Sequence, residues 1–177
     1  VPLPESGRKN RQEEKGEMGI TTFAAIDVGS YNVCMDIYEM SPRIGIRQID
    51  EIRQRLEIGR DTYGKGKIAF DTASQLCHIL KDFVHIMEGY QVENYRACAT
   101  STLQEAENVW IVLEQVYQKT GIRVEILSNS EQRFFGYKSV AAKEESFTKM
   151  IQKGTAIIEV GGGNMQISLF DKDALLT

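Results

Sequence analysis

The spacing of apolar residues changes along the chain, and each change marks an element. Apolar stretches at 22–28, 32–40 and about 44–52 read as strands, joined closely enough to form an antiparallel meander. The basic, glycine-containing stretch Arg60-Asp61-Thr62-Tyr63-Gly64-Lys65-Gly66-Lys67 then reads as a loop. From Thr72 the spacing becomes three to four: Thr72, Leu76, Ile79, Leu80, Phe83, Val84 and Met87 predict one face of a long helix, with Gly89 as its C-terminal cap. A strand at 95–99 precedes a second helix over about 105–119, with Ala106, Val109, Trp110, Leu113, Val116 and Tyr117 as its core face and Gly121 as its stop. A strand at 122–127, a helix from about Glu131 to Glu144 and a hairpin over 155–171 follow. Strands alternating with helices after a meander imply an α/β chain with a mixed sheet covered by helices.

Two strand ends carry the same design. Phe23-Ala24-Ala25-Ile26-Asp27-Val28-Gly29-Ser30 and Thr155-Ala156-Ile157-Ile158-Glu159-Val160-Gly161-Gly162-Gly163 each run from apolar residues through an acid into a glycine turn. Glycine lets turn amides come close to phosphate oxygens, and a carboxylate at a strand end can hold Mg²⁺ directly or through water. One such turn alone is better read as an ordinary hairpin. Two copies, each followed by a further alternating stretch (Val33, Met35, Ile37 and Gln166, Ser168, Phe170), suggest paired hairpins facing one ligand.

Composition narrows the rest. With 42% hydrophobic residues and 3 Pro in 177 residues the chain is globular, one generous domain or one domain and the start of another. Lys+Arg 21 against Asp+Glu 25 gives a net charge of −4, which does not indicate a duplex nucleic-acid surface. Cys34, Cys77 and Cys98 form no Cys-x-x-Cys pair, so reduced thiols are expected rather than disulfides or zinc. No apolar run reaches the roughly 20 residues of a membrane span, and no signal-peptide core opens the chain, so the expectation is no membrane and a cytoplasmic protein. Residues 1–17 carry charges, Gly and Pro without an apolar face, Met18 is a candidate natural start, and 1–20 is expected to be a disordered or tag-like segment.

Five separated motifs then carry a resemblance. Asp27-Val28-Gly29-Ser30; Ala99-Thr100-Ser101 with Ala106-Glu107-Asn108; Thr120 through Ser128; Ser130-Glu131-Gln132-Arg133; and Gly161-Gly162-Gly163 resemble, in order and spacing, the exopolyphosphatase/guanosine pentaphosphate phosphohydrolase (Ppx/GppA) family over about residues 22–171. The resemblance implies an actin-like, ribonuclease H-like fold with a mixed five-stranded sheet and flanking helices. Residues 21–150 would form the first such domain, and 151–177 the first hairpin of a second. It also implies Mg²⁺-dependent hydrolysis of terminal phosphate from polyphosphate or guanosine pentaphosphate. In that family pattern Glu131 matches the general base, Gly29, Ser30, Asn32, Ser101, Gly161, Gly162 and Gly163 the phosphate-binding positions, and Asp27 and Glu159 the metal-holding acids. Local alternatives stand beside these roles: Glu131 as a first-turn helix carboxylate capped by Ser128 or Ser130, and Ser101 as a helix N-cap.

The departures from the family pattern are specific. Tyr31-Asn32 stand in place of Asn-Ser, Gln104 in place of an arginine, Glu159 in place of an aspartate, and Asn164-Met165-Gln166 in place of Ser-Thr-Glu. A fixed charge at Gln104 is thereby lost, which would weaken stabilisation of a phosphoryl transition state. The competing expectation is therefore a catalytically impaired relative that binds phosphate-rich ligands or a partner. His78 and His85 read as surface or packed histidines, and Arg53, Arg55, Arg60, Lys65 and Lys67 as solvated charge or a polyanion funnel. The apolar side of the 155–171 hairpin has few partners in prospect, so it is expected to be mobile, docked on the first domain, or paired with a second copy in a homodimer.

Overall fold

A computed structural model describes residues 19–43, 45–144, 146–163 and 165–176, with Ser101 and Thr102 described by their backbone alone. The expectations for residues 1–17, Met18 and Asn164 lie outside these residues.

The chain opens with β1 (Thr21–Val28), β2 (Asn32–Ser41) and β3 (Gly45–Arg55), the expected meander. Then follow α1 (Ile58–Lys65), α2 (Phe70–Tyr90), β4 (Asn94–Ala99), the one-turn α3 (Ser101–Gln104), α4 (Val109–Thr120), β5 (Val124–Ile126), α5 (Asn129–Lys143) and α6 (Phe147–Ile151). The described chain ends with β6 (Thr155–Val160), β7 (Met165–Asp171) and β8 (Ala174–Leu175). The first five strands form one mixed sheet in the order β3-β2-β1-β4-β5, antiparallel through the meander and parallel where β4 and β5 join. The last three form a separate antiparallel sheet.

Alternation in β1 explains how the core is laid out: Thr22, Ala24, Ile26 and Val28 are buried, while Phe23, Ala25 and Asp27 lie on the other face. The buried face meets Leu76, Leu80 and Phe83 of α2 and Val112 and Val116 of α4 in one cluster. Full burial of each such side chain contributes about 1.5–3 kcal/mol, so this face holds the molecule together. Asp27 is thus left on the open face, at the end of the central strand.

Three details differ from the sequence reading. The stretch expected as a loop at 60–67 contains α1, because Ile58, Asp61 and Thr62 share a buried face at helical spacing and Gly66 closes the helix with φ 71°. The glycines and charges of the stretch concealed that periodicity. Asp61 explains why the helix is needed: it accepts from the Ala69 amide at 3.1 Å, from Thr72 Oγ1 at 2.5 Å and from Lys65 at 3.1 Å, serving α2 as the cap that Ala69 cannot supply. The Thr72 bond holds the Asp61 carboxyl below its usual range. Second, α2 runs through Gly89 and stops at Gln91, which takes the left-handed conformation with φ 56°. Third, Trp110 is 73% exposed, because α4 begins at Val109 and turns Val109, Val112 and Val116 inward instead. Gly121 does close α4, with φ 74°. No described helix is long and apolar enough to cross a membrane.

Candidate active-site cleft

The parallel strands β1, β4 and β5 end on one edge of the sheet, and their loops are tied in succession. The Thr100 amide donates to the Val28 carbonyl at 3.4 Å, and the Leu127 amide to the Ala99 carbonyl at 3.0 Å. The carboxyl edge of parallel strands is where α/β sheets take ligands. Here that edge opens into a cleft of about 390 Å³, lined by Asp27, Gly29, Ser30 and Thr100 from the large sheet. Helix α5 contributes Gln132, Phe135, Gly136 and Ser139, and the β6–β7 hairpin contributes Glu159, Gly161, Gly162 and Gln166.

The first turn is stiff. Gly29 donates to the Asn32 carbonyl at 3.0 Å, Gly59 to the Ser30 carbonyl at 2.8 Å, and Leu56 to the Tyr31 carbonyl at 2.9 Å, so α1 and its lead-in clamp the turn from behind. The second turn is pressed onto it: a Cβ on Gly162 would run into the Tyr31 ring, and one on Gly163 into Tyr63 and Ser30 Oγ. Glycine at both positions is what allows this approach. Gly136 plays the same part in α5, where a Cβ would run into the Glu159 carboxylate.

Asp27 keeps contact with solvent in the cleft, yet surrounding protein withdraws water from its carboxyl, and this raises its pKa, with Asp36 and then Glu159 adding to the effect. Two carboxylates therefore stand in one cleft whose described lining contains no Lys or Arg. The described residues hold no cluster of three or more metal-ligating side chains. Two acids with room for phosphate and water fit Mg²⁺, which is bound through one or two carboxylates plus substrate oxygens rather than in an all-protein cage.

The structure thus brings Asp27, Gly29, Ser30, Glu159, Gly161 and Gly162 together. Gly163 lies behind its neighbours against Tyr63. Asn32 enters β2 opposite Arg55 and does not line the cleft. Ser101 begins α3 directly after the cleft residue Thr100. Glu131 also stands outside the lining: Ser128 is the N-cap of α5, its amide and hydroxyl donate to Glu131 Oε2 at 2.9 and 2.7 Å, and the Glu131 amide donates back to Ser128 Oγ at 3.2 Å. This reciprocal box keeps the Glu131 carboxyl below its usual range. Gln104 is exposed and outside the lining as well. Sequence reasoning named Thr100 and Gln132 within motifs without placing them in the site, and missed Phe135, Gly136 and Ser139; a glycine between Phe135 and Tyr137 inside a helix was the available sign of a close approach.

The Ppx/GppA phosphatase family model matches residues 37–175. The chain belongs to the Ppx/GppA phosphatase family. Among curated relatives, it is 24% identical over 152 residues to a bifunctional 3-dehydroquinate synthase/phosphatase of Fusobacterium nucleatum, covering 82% of this chain and 22% of that one. It is 21% identical over 145 residues to a guanosine-5'-triphosphate,3'-diphosphate pyrophosphatase of Vibrio parahaemolyticus, covering 82% and 28%. Among solved structures, an exopolyphosphatase from Cytophaga hutchinsonii superposes with TM-score 0.79 at 17% identity, and the Ppx/GppA family member of Aquifex aeolicus with 0.73 at 22%. Each superposition covers 89% of this chain, and 49% and 50% of the other. This Ppx/GppA chain therefore has the actin-like fold of its family, and it spans about a quarter of the length of these two curated relatives and half that of the solved chains.

Proposed function

We propose that this chain carries the phosphate-handling cleft of a hydrolase that releases terminal phosphate from polyphosphate or guanosine pentaphosphate. The observation that carries the reading is the meeting of two glycine turns and two strand-end acids in one cleft, within a family of phosphatases. Asp27 and Glu159 would hold Mg²⁺, which when bound neutralises charge on the phosphate oxygens. With no Lys or Arg in the described lining, a polyanion otherwise faces two negative side chains. Gly29, Ser30 and Gly161 to Gly163 shape the cradle, with Ser101 and Asn32 at its margins. Glu131 is the proposed base. To act, its carboxylate has to leave the Ser128 cap and turn along α5 toward the side on which Gln132 lines the cleft. Residues 155–171 are, in the same proposal, the first hairpin of a second like domain.

The capping box favours a second reading, in which the cleft binds phosphate-rich ligands without efficient turnover. Phosphate release from polyphosphate and from guanosine pentaphosphate, with and without Mg²⁺, separates the two. The hydrolase reading expects Mg²⁺-dependent release that falls roughly 10² to 10⁴ in Glu131→Gln, the usual share of a positioned base, with ligand binding retained. Equal release by variant and parent removes Glu131 from the mechanism, and absence of release with intact binding establishes the second reading.

A further inference from the structure

The cleft has two unlike halves. Its sheet and hairpin side carries the acids Asp27 and Glu159 and the glycine turns, whereas α5 supplies Gln132, Phe135, Gly136 and Ser139. These four stand at i, i+3, i+4 and i+7, so they form one face of the helix. None of them bears a charge. The polar groups on this face are also turned back on the protein: Gln132 Nε2 donates to the Leu127 carbonyl at 3.0 Å, and Gln166 Nε2 donates to Gln132 Oε1 at 3.2 Å. Ser139 Oγ likewise donates to the Gly136 carbonyl at 3.0 Å.

Phe135 is the aromatic side chain of the described lining, and it remains 40% exposed. The Arg96 guanidinium stands over its ring, 5.3 Å from the centroid. Arg96 is held in turn by Glu125 Oε2, which accepts from Nε at 3.1 Å and from Nη2 at 2.8 Å. Phe134 packs on the same ring edge to face, with centroids 5.7 Å apart. A ring steadied by two neighbours offers a flat apolar surface that needs little ordering when a ligand arrives.

The two substrate classes named above differ in what they bring to this wall. Inorganic polyphosphate carries negative charge on every unit, so the units beyond the metal-held phosphates would lie against Phe135 and Leu127 with no cation in the described lining. A nucleoside is uncharged and has a π-face, which suits an uncharged wall built around one ring. We propose that α5 is the nucleoside wall of the cleft, with the base stacked on Phe135, and that the site selects nucleoside polyphosphates over inorganic polyphosphate. This rests on the phosphate cleft of the reading above, with or without turnover.

Guanosine triphosphate and tripolyphosphate share a chain of three phosphates, so titration calorimetry of each with Mg²⁺ isolates what the nucleoside adds. The parent should bind the nucleotide about tenfold more tightly, the scale of one base stacked on an aromatic ring. Phe135→Ala should bring the two affinities to within about twofold of each other, and Phe135→Tyr, which keeps the ring, should preserve the preference. Equal affinity of the parent for both ligands, or a Phe135→Ala loss of the same size for both, overturns the proposal. If the parent binds neither triphosphate, the phosphate-cleft reading fails by itself, and saturation-transfer NMR with guanosine alone judges the wall. Transfer seen in the parent and lost in Phe135→Ala supports it, whereas no transfer, or transfer that survives in the variant, overturns it.

Discussion

The turn after β1 and the turn after β6 share the order of apolar run, acid and glycine, yet they are supported in different ways. β1 is the central strand of a five-stranded sheet, with Ala24 and Val28 fully buried and its turn tied to α1 by backbone hydrogen bonds. β6 is the edge of a three-stranded sheet whose apolar residues remain open, with Ile158 60% and Val160 75% exposed. The small sheet is held where Phe170 meets Tyr137 and Phe147, at ring separations of 5.5 and 6.0 Å, and where Gly162 and Gly163 meet Tyr31 and Tyr63. A repeated motif therefore need not bring its own scaffold. The first turn is rigid on account of its strand, and the second is placed by docking on the first.

The largest expected break in this comparison comes at the contact itself. Gly162→Val should lower affinity for Mg²⁺ and tripolyphosphate by about tenfold or more, the scale of losing one hydrogen bond to a charged group as the second turn is pushed off Tyr31. The five-stranded sheet should keep its far-ultraviolet circular dichroism. Unchanged titration calorimetry would show that the turns need no close approach.

Next in size is the difference in local stability. Amide exchange over 155–171 should be markedly faster than over 21–28, because the small sheet buries few apolar side chains. Equal protection in a dilute monomer would show that the hairpin belongs to a finished core and would end the second-domain proposal.

These two regions also explain what was legible in the sequence. The meander, α2, β4, α4 with its Gly121 stop and the hairpin could be read because their apolar spacing is regular or their turn residues are distinctive. α1 could not, since its buried face consists of Ile58, Gly59, Asp61 and Thr62, residues that resemble a loop until Asp61 is seen capping α2. Trp110 looked like core because its size dominates the pattern, while the smaller Val112 fills the space. Of the site, the glycine turns and their acids were legible as a repeated order of residues. The contribution of α5 was not, because Gln132 and Ser139 are ordinary helix residues until the fold brings them beside the hairpin; the Ser128–Glu131 cap, by contrast, was legible as the local alternative to a base.

The smallest effect concerns Asp27. Because burial and neighbouring acids raise its pKa, the folded protein holds the Asp27 proton more tightly than the unfolded chain does. The favourable contribution is present below the ordinary aspartate range and is lost as pH rises through the folded value, leaving a partly desolvated charge beside Asp36 and Glu159 that opposes folding at neutral pH. Asp27→Asn should therefore raise the melting temperature at neutral pH without Mg²⁺, and the gain should vanish as pH falls below the ordinary aspartate range. A melting temperature lowered at neutral pH would contradict the raised pKa.

The central claim is that the two turns and their acids form one cation-dependent phosphate cleft, and titration calorimetry of tripolyphosphate with and without Mg²⁺ tests it most directly. Binding is predicted for the parent only when Mg²⁺ is present, and is predicted to be lost in the Asp27→Asn, Glu159→Gln double variant. Equal binding without Mg²⁺, or undiminished binding by the double variant, would contradict the account.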